Sequence, residues 1–289
     1  MSSIIKKSEV IKLYPRRDPN SHKGENGRVL IIGGSLEYFG APILSALGAL
    51  GGGCDLAYLL VPECNFDASR SFYPDFIVRK YPGNYVNSRM TDQAVELGKN
   101  VDALLVGPGM TEDPESLRVI AKIIQKLDCP VVLDAEAIPV IAQLDLFAGA
   151  EHAKRITITP HRGEFDEITE GTLPDDPEEE EKLVEDFANK WGITILLKRP
   201  RAVIAAPGQP TRTNLTGNAG MTVGGSGDVL SGFTASLISQ GAPAYEACVC
   251  AAFLNGAAAD NLQRQKGFNF IATDIALELP YTIHSVIGS

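Results

Sequence analysis

The feature that most constrains this chain is a series of short runs, apolar on both faces, separated by stretches of helical periodicity. The runs fall at 28–32, 56–61, 103–106, 131–133, 156–158, 194–197 and 203–206. Continuous apolar character predicts strands buried on both faces. The stretches between them, at 42–50, 115–127, 178–190 and 245–262, read as helices. Alternation of this kind predicts an α/β fold, a mostly parallel central sheet with crossover helices on both faces. A chain of 289 residues is long enough for one large α/β domain or two small ones. No internal repeat and no linker divides it.

In an open α/β sheet, ligands collect at the carboxyl ends of the strands, and the informative residues of this chain lie there. Gly107-Pro108-Gly109 follows one strand, and Asp134-Ala135-Glu136 follows the next. Thr159-Pro160-His161-Arg162-Gly163-Glu164 and Lys198-Arg199-Pro200-Arg201 follow two more. Each loop has a plain structural reading. Gly-Pro-Gly is an ordinary turn, His161 serves as a surface hydrogen-bonding group, Glu164 as a helix cap, and Lys198 as a surface lysine. Their common edge is what points to a site.

The fifth loop is the glycine-rich stretch from Asn218 to Gly232, which feeds a helix read over 229–240. A helix N-terminus gathers unpaired N–H groups and the positive end of the macrodipole, and glycines let phosphate oxygens approach the backbone. A phosphate is therefore expected at Gly225, Ser226 and Gly227. Asp228, read at the first helical position, is either the N-terminal cap or a general base toward a hydroxyl attacking phosphorus.

The net charge of −10 and the pI near 5.0 argue against a nucleic-acid binder and leave small anionic metabolites. The cysteines Cys54, Cys64, Cys129, Cys248 and Cys250 are odd in number and lack metal-site spacing, so they read as buried small residues. No run of 18 apolar residues and no secretory h-region is present, which predicts a cytoplasmic protein without membrane contact. The acidic run from Asp175 to Glu181 reads as a solvated helix start with no catalytic role. Gly33-Gly34-Ser35 with Gly40 lacks the G-x-G-x-x-G spacing of a dinucleotide fingerprint, so a Rossmann dehydrogenase is a poor fit. The Ala-rich stretches 41–50 and 247–259 present small faces suited to close helix packing, inside the chain or between subunits.

The stretches Lys23 to Ser35, Gly40-Ala41-Pro42, Gly107-Pro108-Gly109, Val132 to Ala135, Thr159 to Glu164, Leu197-Lys198 and Gly217 to Gly232 together resemble the ADP/ATP-dependent NAD(P)H-hydrate dehydratases. These form a branch of the ribokinase-like superfamily. The resemblance runs in order from about residue 23 to about 280. It implies a ribokinase-like fold spanning 1–289 as a single domain, with no fused epimerase. It also implies a repair reaction on the S-epimers of hydrated NADH and NADPH (NADHX and NADPHX). The ring hydroxyl is phosphorylated from ADP or ATP, and loss of phosphate then restores NADH or NADPH.

Carried over residue by residue, the resemblance makes Asp228 the base toward the substrate hydroxyl, with Gly225, Ser226 and Gly227 as the anion hole. Ala41, Gly109 and His161 line the hydrate pocket beside Asp228. Lys198, Arg199, Pro200, Arg201 and Ala202, with Asn218, border the adenine nucleotide, and Glu164 helps hold Mg2+ through water. A homotetramer and a separate NAD(P)H-hydrate epimerase are implied as well. The chain departs from the pattern where Arg199-Pro200-Arg201 replaces the usual Gly after Lys198, which stiffens that loop and adds charge near the nucleotide. Ser226 replaces a usual Thr, and Glu136 stands where Asp is common, with no role assigned. Two other functions use the same phosphate site, an ATP-dependent kinase for a vitamin precursor or sugar, and a nucleotide sensor without turnover.

Overall fold

A computed structural model describes residues 3–111, 113–144 and 153–288. Among the described residues, ten strands, numbered in chain order, form one sheet in the order β1-β10-β9-β8-β7-β6-β5-β2-β3-β4. Its middle, β2 (Arg28–Ile32), β5 (Ala103–Val106), β6 (Val131–Leu133), β7 (Ile156–Ile158) and β8 (Thr194–Leu197), is parallel throughout. β3 (Leu56–Pro62) extends it in the same sense. β9 (Ala202–Ala205) runs antiparallel to β8 and to β10 (Arg212–Asn214). The mostly parallel α/β architecture expected from the apolar runs is thus the one observed, and every expected strand is present within a residue or so.

The reason the runs are apolar at every position is visible in β2. Val29 and Ile31 join one core cluster, and Leu30 and Ile32 the other. The first cluster packs under the helices Gly40–Gly51, Ser226–Ser239, Ala244–Lys266 and Ala272–Ile287. The second packs under Thr91–Gly98, Pro114–Ile124 and Pro177–Trp191. Burial on both faces removes the period-2 alternation of a half-exposed strand.

Three strands lie outside the expected set. β1 (Ser3–Ile4) and β10 close one edge of the sheet by parallel pairing, and β4 (Phe76–Tyr81) closes the other. The edge strand β4 buries less, with Arg79 and Lys80 exposed, and β10, one strand in from the other edge, is polar throughout as Arg-Thr-Asn even though Thr213 and Asn214 are buried. Their sequences therefore lack the apolar signature that marks the centre.

The small helix faces are used inside the chain. A Cβ on Gly232 would lie 1.9 Å from the Ser45 carbonyl oxygen, and one on Gly48 would lie 2.3 Å from that of Val229. The backbones of the Gly40–Gly51 and Ser226–Ser239 helices thus touch, a separation only glycine permits. This crossing fixes the start of the Ser226–Ser239 helix above the carboxyl ends of the central strands. Cys54, Cys248 and Cys250 are buried as expected, whereas Cys129 is half-buried and Cys64, in the short 3-10 turn Glu63–Asn65 that follows β3, is exposed. Among the described residues, no helix is long and apolar enough to cross a membrane.

Candidate active site

The Ser226–Ser239 helix begins three residues before its apolar face, which starts at Val229, and Asp228 is its third residue. The N-cap is Gly225, at φ 93°, and no side chain caps the end. The left-handed backbone there requires glycine, and a Cβ would also meet Leu44 at 2.3 Å. Asp228 is therefore not the cap. Ser226 turns inward, its N–H donating to the Val223 carbonyl at 3.4 Å and its hydroxyl to the Met221 carbonyl at 2.7 Å, and the N–H groups of Gly227 and Asp228 in the first turn of the 14-residue helix lie too early for an i→i−4 partner within it.

Asp228 is set apart by its surroundings. Burial, and after it the nearby Asp134 carboxylate, pushes its pKa from 3.8 up to about 7. Lys198 pulls the other way, while Glu136 and Glu164 add to the rise. Lys198 reaches the same spot from the end of β8. Its Nζ lies 2.7 Å from Asp134 Oδ1 and 3.9 Å from Glu164 Oε2, and a Cβ on Gly227 would come within 3.3 Å of it. Burial alone disfavours the ammonium, but the Asp134 and Glu164 carboxylates outweigh it and hold the pKa of Lys198 above its ordinary value. Asp134 is 1% exposed and also accepts the Thr159 hydroxyl at 2.8 Å. The next residue, Ala135, takes φ 50°, a left-handed conformation uncommon for an L side chain.

His161 and Glu164 form a capping box at the start of the Arg162–Thr169 helix. Glu164 N–H donates to His161 Nδ1 at 3.1 Å, and His161 N–H donates to Glu164 Oε2 at 2.6 Å. Both thus hold their plain structural roles, and both still face the site. His161 bridges to Lys198 across the ladder that prolongs β7 and β8, and it lines the cavity described below. Among the described residues, no group of three or more His, Cys, Asp or Glu side chains is arranged to hold a metal. A cation here would need oxygen ligands from a bound phosphate in addition to Glu164.

A cavity of about 600 Å³ opens beside the helix end. Lys198, Arg199, Pro200, Ala202, Asn218, Ser226, Gly227 and His161 all border it. Gly225 and Arg201 do not. Arg201 is turned toward Glu181 at 3.5 Å, and Arg199 pairs with Glu180 at 2.7 Å. These partners correct the reading of the acidic run. Glu180 and Glu181 are 6% and 8% exposed, not solvated, and they clamp the β8–β9 turn to the start of the Pro177–Trp191 helix. The charge that Arg199 adds beside the cavity is in this way neutralised from behind. Asn218 spends its amide on the loop itself, donating to Asp260 and accepting from Gly220 N–H, both at 3.0 Å. Ala41 and Gly109 meet elsewhere on the same edge, since a Cβ on Gly109 would lie 3.0 Å from that of Ala41 and 2.7 Å from the Tyr38 carbonyl oxygen.

The far wall escaped the sequence reading. Asn214, Thr216, Met221, Leu230, Ala252 and Asn255 line the cavity from β10, the glycine-rich loop and two helices. One signal was available: Asn255 is the lone amide in an otherwise apolar or small buried stretch from Ala247 to Ala259.

Residues 29–281 match a family model described as NAD(P)H-hydrate dehydratase. An ADP-dependent (S)-NAD(P)H-hydrate dehydratase from Cenarchaeum symbiosum is 36% identical over 96% of this chain and 95% of its own length. A bifunctional NAD(P)H-hydrate repair enzyme from Methanothermobacter thermautotrophicus is also 36% identical. It matches 92% of this chain, which spans 51% of that longer protein. Among solved structures, a ribokinase-like superfamily protein from Enterococcus faecalis superposes with a TM-score of 0.85 at 23% identity, over 99% of this chain and 97% of that one. The ADP/ATP-dependent NAD(P)H-hydrate dehydratase from Bacillus subtilis, co-crystallised with ATP and Mg2+, gives 0.82 at 25% identity, over 99% of both chains.

Proposed function

This chain belongs to the NAD(P)H-hydrate dehydratase family, and on that premise we propose that it restores NADH and NADPH from their S-hydrates at the expense of an adenine nucleotide, with ADP as donor. The observation that carries the reading is Asp228, a carboxyl pushed up to about 7 on the first turn of an uncapped helix whose glycine-rich entrance suits a phosphate.

The hydroxyl oxygen of the hydrate attacks the terminal phosphorus of ADP as Asp228 takes the hydroxyl proton. The bond from that phosphorus to the oxygen bridging to AMP breaks, and AMP leaves with the electron pair. The glycine-rich helix start at Gly225 to Gly227 and the Lys198 ammonium face the charge that spreads over the transferring oxygens. Phosphate then departs from the ring carbon, with loss of a proton from its neighbour, and the ring double bond returns. The chemical logic is leaving-group quality, because hydroxide leaves poorly and phosphate well.

Glu164, which also accepts from the His161 N–H, would hold Mg2+ through water together with the phosphates of the nucleotide, and the ion would supply neutralisation of phosphate charge. Ala41, Gly109 and His161 border the hydrate on the side facing Asp228. Lys198, Arg199, Pro200, Ala202, Asn218, Ser226 and Gly227 border the nucleotide, whereas Arg201, turned to Glu181, does not. The family resemblance further supports a cytoplasmic homotetramer served by an NAD(P)H-hydrate epimerase.

The test is product stoichiometry. With ADP and the S-hydrate of NADH, purified protein should yield AMP, phosphate and NADH in equal amounts. A stable phosphate ester with no reduced nicotinamide would instead identify a small-molecule kinase, and nucleotide binding with no product would identify a sensor.

A further inference from the structure

The helix Ala244–Lys266 turns a buried face of small residues to the core, and Asn255 interrupts it. Asn255 is 1% exposed and lines the cavity beside Ala252, Asn214 and Thr216. Neither its amide nitrogen nor its amide oxygen has a hydrogen-bond partner in the protein. The polar groups around it are already paired with one another. Asn214 Nδ2 donates to the Ala252 and Thr216 carbonyls, both at 3.1 Å, and the Thr216 hydroxyl donates to the Phe253 carbonyl at 2.8 Å. Of the three amides that border the cavity, Asn214, Asn218 and Asn255, two are committed to the fold. Asn255 alone among them offers an unused donor and an unused acceptor side by side.

A buried amide without partners is costly to keep. We propose that Asn255 reads the base of the bound nucleotide, accepting from the exocyclic amino group of adenine through Oδ1 and donating to the adjacent ring nitrogen through Nδ2. An asparagine amide matches adenine in this bidentate way. The assignment rests on the reading of this cavity as the adenine nucleotide site. It makes Asn255 a determinant of base selection.

The test edits ligand and protein together, by titration calorimetry of wild type, Asn255→Leu and Asn255→Ala with ADP and with purine riboside 5′-diphosphate, which lacks the 6-amino group. Wild type should bind ADP about tenfold more tightly than the purine analogue, the scale of a buried hydrogen bond. Asn255→Leu should bind both equally and more weakly than wild type binds ADP. Its melting temperature without ligand should stay level or rise, because an unpaired polar group is replaced by an apolar one of similar shape. Asn255→Ala should show the same loss of discrimination should the Leu side chain disturb folding. Retained preference for ADP in a folded variant, or undiminished ADP affinity, would overturn the assignment. Wild type that binds neither diphosphate would overturn the nucleotide reading itself, and this assignment with it.

Discussion

Replacing Asp228 with Asn should stabilise the protein while abolishing turnover, and the stabilisation should depend on pH in a way fixed by the surroundings of Asp228. Burial first, and the Asp134 carboxylate second, lift its pKa from 3.8 to about 7. At about 1.4 kcal/mol for each factor of ten, ionised Asp228 costs the fold up to about 4 kcal/mol. The group's pKa is higher in the folded than in the unfolded state, so its favourable contribution is complete below the unfolded value and is lost as pH rises through the folded one. The advantage of Asp228→Asn is therefore small near pH 4, grows to about pH 7, and levels off above it. Denaturant unfolding of the two proteins should show the gap widening by about 2 kcal/mol between pH 5 and pH 7. A gap that stays constant over that range, or narrows, would refute the claim that Asp228 is held near neutrality by its site. A carboxyl made costly to the fold and kept on the first turn of a helix with a glycine-rich entrance is the signature expected of a base.

Other outcomes follow from the same geometry. Arg199→Ala leaves the buried Glu180 carboxylate without its 2.7 Å partner, so the melting curve should report a loss of about 2–3 kcal/mol, reduced at acidic pH, where Glu180 is protonated. Gly232→Ala drives a methyl into the Ser45 carbonyl; calorimetry should show a cost of about 3 kcal/mol, and more if the helices cannot separate. Chelation of divalent cations should halt nicotinamide recovery, and added Mg2+ should restore it, followed in one cuvette.

The legible part of the fold was its centre. Strands such as Leu104–Leu105 and Val131–Leu133 must satisfy two cores at once, so every position is apolar and the run declares itself. At the margins the constraint relaxes, and Arg79, Lys80 and Arg212 could sit in strands without any periodic mark. The site divides in the same way. The loop from Gly225 to Asp228 was legible because glycine, a helix start and a carboxylate are local chemistry. The contact of Lys198 with Asp134 spans 64 residues and exists only because β6, β7 and β8 are neighbours in the sheet. The acidic run was misread at Glu180 and Glu181 because their arginine partners arrive from a turn that sequence spacing does not bring near. Asp228 was placed at the first helical position because the apolar stripe starts at Val229, whereas the backbone is already helical from Ser226.

The most direct test of the central claim is the near-ultraviolet absorbance of reduced nicotinamide when purified protein meets the S-hydrate with Mg2+, with ADP present or omitted. Absorbance should recover only with the nucleotide, and Asp228→Asn should give none while still binding ADP. Recovery without nucleotide, or undiminished recovery by Asp228→Asn, would contradict the account.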